Sequence, residues 1–177
     1  MQNLVLLWQR KLSRGVVRPC HQNGLLFIKG RLSMNSWDCS FLDMAETIAK
    51  KSKDPSTKVG AVIVDDQNRP VSWGYNGFPR KIQDTPERLN NRDLKLQHTV
   101  HAEINAILFA ERSRLEGATL YTYPFMPCSS CCILIIQSGI QRVVSYNDDT
   151  ERWQESFEKS KTMFKEAGIQ LFLYEKE

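Results

Sequence analysis

Three side chains able to hold one metal ion occur close together in the 177-residue sequence. They are His101, in His101-Ala102-Glu103, and Cys128 and Cys131, in Pro127-Cys128-Ser129-Ser130-Cys131. One imidazole and two thiolates are the donors zinc takes from a protein when a fourth position is kept for water. Glu103, two residues beyond the imidazole, is placed to move protons for that water without binding the metal. Two other readings compete. A closed structural site needs a fourth protein ligand, for which His98 and Cys132 are the candidates, although Cys132 adjoins Cys131 and points away around its helix. A Cys-x-x-Cys redox pair is the other, and the upstream His-x-Glu argues against it.

These residues need helix starts, because free N–H groups and the positive end of the dipole favour thiolate and carboxylate there. The sequence supplies them. Ala102 to about Ser113 is a helix that begins at His101 and ends before Gly117, and Ser129 to about Ser138 is a second, closed by Gly139. Apolar positions Trp37, Phe41, Met44, Ala45, Ile48 and Ala49 predict an amphipathic helix over 37–51, stopped by Asp54-Pro55. Strands are expected at 59–64 and 70–75, joined by Asp65-Asp66-Gln67-Asn68, and at 118–123, 142–146 and 169–174, with a helix over 151–166. The stretch from Asn76 to about Gln97 reads as a polar loop, long enough to suggest a role. The order α-β-β-α-β-α-β-α-β implies a mixed sheet between helices. Ile104 to Ala110 and Cys131 to Ile136 are apolar nearly all round, which points to burial on every side, with another subunit as the preferred cover.

The charge of +4 is uneven. Residues 1–33 carry six cations and no acid, leaving −2 on residues 34–177. An acidic body is a poor match to a nucleic-acid polymer and points to a small substrate. Residues 1–33 read as a basic extension dispensable for catalysis, disordered or lying upstream of a true start at Met34; residues 34–177 form the single domain. Five cysteines, three of them within five residues, indicate metal binding in a reducing compartment rather than a disulfide framework. No apolar run reaches membrane-spanning length.

Taken together, these motifs resemble the cytidine deaminase superfamily over most of residues 37–174. Within it, HAEINAILFAER, GYNG, PCSSC and IIQSGI resemble the deoxycytidylate deaminase family, in its phage and bacterial branch. The resemblance implies a three-layer α/β/α sandwich around a five-stranded mixed sheet. It implies hydrolysis of dCMP to dUMP and ammonia, supplying dUMP for thymidylate synthesis in the cytoplasm, that of the host for a phage enzyme. Zn²⁺ would be held by His101, Cys128 and Cys131. Glu103 would carry a proton from water to N3 of cytosine and then to the departing amine. The Ala102 N–H would bind the pyrimidine O2, Asn76 the sugar hydroxyl, and Tyr146 and Asp148 would complete the pocket above a floor formed by residues 122–127.

The same resemblance implies a homohexamer, activated by dCTP and inhibited by dTTP, each bound with Mg²⁺. The residues like that effector site are Lys53, Asp54, Gly74, Tyr75, Asn76, Gly77, Phe78 and Pro79, with Phe109 and Arg112 linked to the response. A phosphate on the substrate suits the cations of the 77–100 segment, Arg80, Lys81, Arg88, Arg92 and Lys95, which outnumber Asp84, Glu87 and Asp93. A solvated loop and, for Asn76, a turn residue are the plainer alternatives. Cys20, His21, Cys39 and His98 form no recognisable accessory zinc site. Competing functions are a free-cytidine, tRNA-adenosine or riboflavin-pathway deaminase, and a catalytically silent zinc module, for which a retained Glu103 has no use.

Overall fold

The computed structural model describes residues 34–148 and 150–176. The basic segment 1–33, with Cys20 and His21, lies outside the described residues. Five strands form one sheet in the order β2-β1-β3-β4-β5: β1 (Gly60–Val64), β2 (Pro70–Tyr75), β3 (Thr119–Tyr123), β4 (Arg142–Tyr146) and β5 (Gln170–Tyr174). Strand β1 is antiparallel to both β2 and β3, and β3, β4 and β5 run parallel. Expected and observed strands agree to within one residue.

Alternation along the strands builds two cores. Val62, Val64, Tyr121 and Val144 face helix α1 (Ser36–Ala49), whose Phe41, Leu42 and Ala45 are buried on them. Ala61, Ile63, Leu120, Val143 and Leu171 face the opposite layer. That layer holds helices α4 (Ala102–Phe109), α5 (Ser129–Ser138) and α6 (Glu151–Glu166). The arrangement is the expected α/β/α sandwich around a mixed sheet.

Helix α1 is fastened by a buried carboxylate. The Asn35 side chain caps the helix by accepting the Asp38 N–H at 2.8 Å. Asp38 itself accepts from both terminal nitrogens of Arg142, at 2.9 and 2.7 Å, and from Tyr121 and Tyr174 hydroxyls, each at 2.8 Å. Burial pushes its carboxyl up, but these hydrogen bonds outweigh burial and hold it below the usual carboxylate range. One aspartate thus ties α1 to β3, β4 and β5.

Two expectations are corrected. The segment 76–97 is no plain loop: it contains α2 (Pro86–Asn90) and α3 (Arg92–His98). Thr85 caps α2 with Pro86 in its first turn, and the Asn91 side chain accepts the Leu94 N–H at 3.1 Å to start α3. Paired hydrogen bonds between Gly77 and Val100, at 3.1 and 2.8 Å, bring the segment's ends together. The helix that begins at Ala102 ends at Phe109 rather than near Ser113, because Ala110 is extended and a 3-10 turn at Arg112–Arg114 follows. Leaving the helix there lets Leu115 enter the core.

Gly74 explains how α4 reaches the sheet. A Cβ at this position would lie 2.4 Å from the Ala102 carbonyl oxygen and 2.5 Å from the Ala106 nitrogen. Only glycine allows the α4 backbone to rest directly on β2. At the other site helix, Gly139 takes a left-handed φ of 88° and terminates α5 as expected.

Candidate active site

Helices α4 and α5 each begin at a candidate metal ligand. His101 and Cys128 are their N-cap residues, both in extended conformation, and neither side chain caps its own helix. The two side chains turn toward each other instead. Nδ1 of His101 lies 3.4 Å from Sγ of Cys128 and 3.3 Å from Sγ of Cys131. Among the described residues this is the one group of three or more His, Cys, Asp or Glu side chains whose donor atoms gather, all within 4.8 Å.

The donors fit a zinc ion. Tetrahedral bonds of about 2.05 Å to nitrogen and about 2.3 Å to sulfur put the ligand atoms roughly 3.6 Å apart, close to the spacing here. The three groups share protons closely enough to shift one another. The hydrogen bond from Cys131, helped by that from His101, brings the Cys128 thiol down to about 4 despite burial. The bond to Cys128 raises His101 to about 9. Cys131, which donates to Cys128 and is buried, is pushed up.

No fourth protein ligand joins them among the described residues. The Cys132 Sγ points to the Ser160 carbonyl at 3.6 Å, as expected from its place beside Cys131. His98 stacks at a tilt against Phe78 and contacts the Leu94 carbonyl at 2.7 Å. Cys39 is exposed on α1. The site is therefore open on one side.

That side faces a cavity of about 570 Å³, bordered by His101, Ala102, Glu103 and Cys128. Glu103 is 4 % exposed, and burial pushes its carboxyl up. Ala102 opens α4, where the first backbone N–H groups have no partner within the helix. Asn76 also borders the cavity, but its amide is half committed. Its Oδ1 accepts the Val59 N–H at 2.8 Å and its Nδ2 donates to the Thr57 carbonyl at 2.9 Å, leaving one N–H. Of the segment 122–127, Phe125 reaches the cavity and packs on Trp153.

Tyr146 and Asp148 do not join this pocket. Tyr146 shares a sheet face with Val144, on the α1 side, edge-on to Tyr123. Asp148 bonds the backbone N–H of Thr150 at 2.7 Å, at the start of α6. The effector candidates also divide. Lys53, Asp54, Tyr75, Asn76, Gly77 and Phe78 border a smaller cleft of about 130 Å³. Lys53 pairs there with Asp84 at 3.0 Å. Gly74 is not available to a ligand, because it is pressed against α4. Pro79 is exposed beyond the cleft; Phe109 lies under the Arg80 guanidinium at 4.5 Å, and Arg112 reaches the Gln137 carbonyl at 3.4 Å.

Three cations border the large cavity: Arg92, Lys95 and Arg152. Arg152 and its neighbour Trp153 escape the sequence reading. Their signal is a first-turn arginine in α6, where a helix favours an acid.

Residues 35–147 match the family described as the cytidine and deoxycytidylate deaminase zinc-binding region. The chain is 43 % identical over 141 residues to a deaminase from the luxG 3′ region of Aliivibrio fischeri, covering 78 % of this chain and 93 % of that one. It is 41 % identical over 144 residues to a probable deoxycytidylate deaminase of Drosophila melanogaster, covering 76 % and 70 %. The crystal structure of a dCMP deaminase from the cyanophage S-TIM5 superposes with a TM-score of 0.60 at 20 % identity, over 79 % of this chain and 98 % of that one. That likeness is one of fold.

Proposed function

Since the chain belongs to the cytidine and deoxycytidylate deaminase family of hydrolytic enzymes, we propose that its own reaction converts dCMP and water to dUMP and ammonia. The observation that carries this is the juxtaposition of the His101-Cys128-Cys131 group with buried Glu103 on one cavity, of a size that a nucleotide fills. His101, Cys128 and Cys131 would hold zinc, which would supply Lewis-acid activation of water.

The chain's residues do the rest. Ala102 offers its free N–H to the pyrimidine O2, which fixes the base with C4 toward the metal group. Phe125 gives the base an apolar wall, and Asn76 has one N–H left for the sugar hydroxyl. Glu103 takes a proton from the water as the water oxygen bonds to C4 and delivers that proton to N3. It then takes the remaining proton from the new C4 hydroxyl and hands it to the amino nitrogen as the C4–N bond breaks, leaving the C4 carbonyl and ammonia. Burial raises its pKa, the direction that suits a carboxyl that must both accept and return a proton.

Assays of ammonia release from dCMP, dCTP, deoxycytidine and cytidine by the zinc-loaded protein test this reading. The expected result is preferred turnover of dCMP. Equal turnover of deoxycytidine, or none of dCMP, overturns it.

Assembly and regulation belong to the same proposal. Leu108 and Phe109 on α4 are 69 % and 55 % exposed, and Ile133 and Leu134 on α5 are 57 % and 44 % exposed. This apolar face supports packing of further copies, with a hexamer expected. The small cleft shares Asp54, Asn76, Leu89 and Thr99 with the large cavity. Its volume falls below that of ordinary ligand sites, so a dCTP or dTTP bound there with Mg²⁺ needs walls from a second copy. Light scattering on the eluted protein should give the mass of six chains, and rates in dCMP should respond to dCTP and dTTP. A persistent monomer removes the assembly and the completed effector site together.

A further inference from the structure

Taking the deaminase reading above as its premise, we propose that Arg152, helped by Arg92, grips the 5′-phosphate and makes this a nucleotide rather than a nucleoside deaminase. The five cations of the 77–100 segment are not equivalent. Arg80 stacks on Phe109, and Arg88 donates to the Gln83 carbonyl at 3.0 Å. Lys95 borders the cavity but is 8 % exposed and committed, with Nζ 2.9 Å from both Asp54 Oδ1 and Ser56 Oγ. A buried ammonium so neutralised braces the wall and has no charge to spare for a ligand.

Arg92 and Arg152 differ. Both border the cavity, both are exposed at its mouth, and neither is ion-paired to a carboxylate among the described residues. Arg152 sits in the first turn of α6, where a positive charge opposes the helix dipole, so helix stability does not explain it. Its guanidinium lies 5.2 Å from the Trp153 ring centre, and one terminal nitrogen makes a long 3.4 Å contact with the Thr57 hydroxyl, also on the cavity. The aromatic face and the hydroxyl keep the fork directed at the opening. A phosphate dianion matches that fork through two oxygens, and the Thr57 hydroxyl, which accepts from Arg152, keeps its own hydrogen to donate.

The test compares dCMP with deoxycytidine in the zinc-loaded wild type and in Arg152→Gln, Arg152→Lys and Arg92→Gln. Arg152→Gln should lower the ratio of kcat/KM for dCMP over deoxycytidine on the order of 10- to 100-fold, through KM for dCMP. Arg92→Gln should lower it less, and Arg152→Lys should restore part of it. An unchanged ratio overturns the proposal, as does a proportional loss on both substrates, the mark of a purely structural role. If Arg152→Gln does not fold, the other two variants carry the comparison. A wild type that shows no preference for dCMP fails the nucleotide reading itself, a result distinct from a preference that survives without Arg152.

Discussion

Replacing Glu103 with Gln is expected to lower kcat for dCMP by roughly 10²- to 10⁴-fold, the range for a lost proton shuttle. Zinc content should not change. The three gathered donors are His101, Cys128 and Cys131, and Glu103 is not among them. Gln preserves shape and polarity within the first turn of α4, where residue 103 is 4 % exposed, so the cavity keeps its form. What it cannot do is receive and return a proton. The loss should therefore fall on kcat, with KM for dCMP close to wild type. A variant within tenfold of wild-type kcat would remove Glu103 from the reaction.

Stripping the metal by chelation, or replacing Cys131 with Ala, should abolish measurable turnover and lower stability at once. His101 and Cys128 begin α4 and α5 without capping their own helices, so an ion held between them joins two helix starts. An ion present at a thousandfold over its Kd contributes about 4 kcal/mol, or roughly 8–16 °C in Tm for a chain of this length. The sheet and both cores lie largely outside the site, so the fold should persist in far-UV circular dichroism. Zinc returned to the chelated protein should restore activity, but not to Cys131→Ala. Full activity after verified metal loss would refute the site.

Most of the scaffold was legible because period-2 and period-3.6 patterns are local. Strand β4 and helices α5 and α6 were placed to the residue, and both halves of the metal group came from motifs. Tyr146 shows where a carried-over role ran against a local rule. Successive strand residues face opposite sides, so Tyr146 shares the face of Val144, toward α1 and away from the large cavity. The α2–α3 segment was hidden by its polarity, although Thr85-Pro86 and Asn91 are helix-start signals. The early end of α4 at Phe109 had no local signal, since no glycine or proline stands at Ala110. Arg152 needed the tertiary structure, because α6 and the loop bearing Thr57 meet only in the folded chain.

Gly74 sets a limit on redesign. Its backbone contact with Ala102 and Ala106 leaves no room for a side chain between β2 and α4, so directed-evolution libraries aimed there would mostly return misfolded clones. Side chains that line the cavity walls, Phe125 among them, can change without touching that backbone contact. Selections for altered base or sugar preference should therefore recover their winners from those walls, with residue 74 left as glycine.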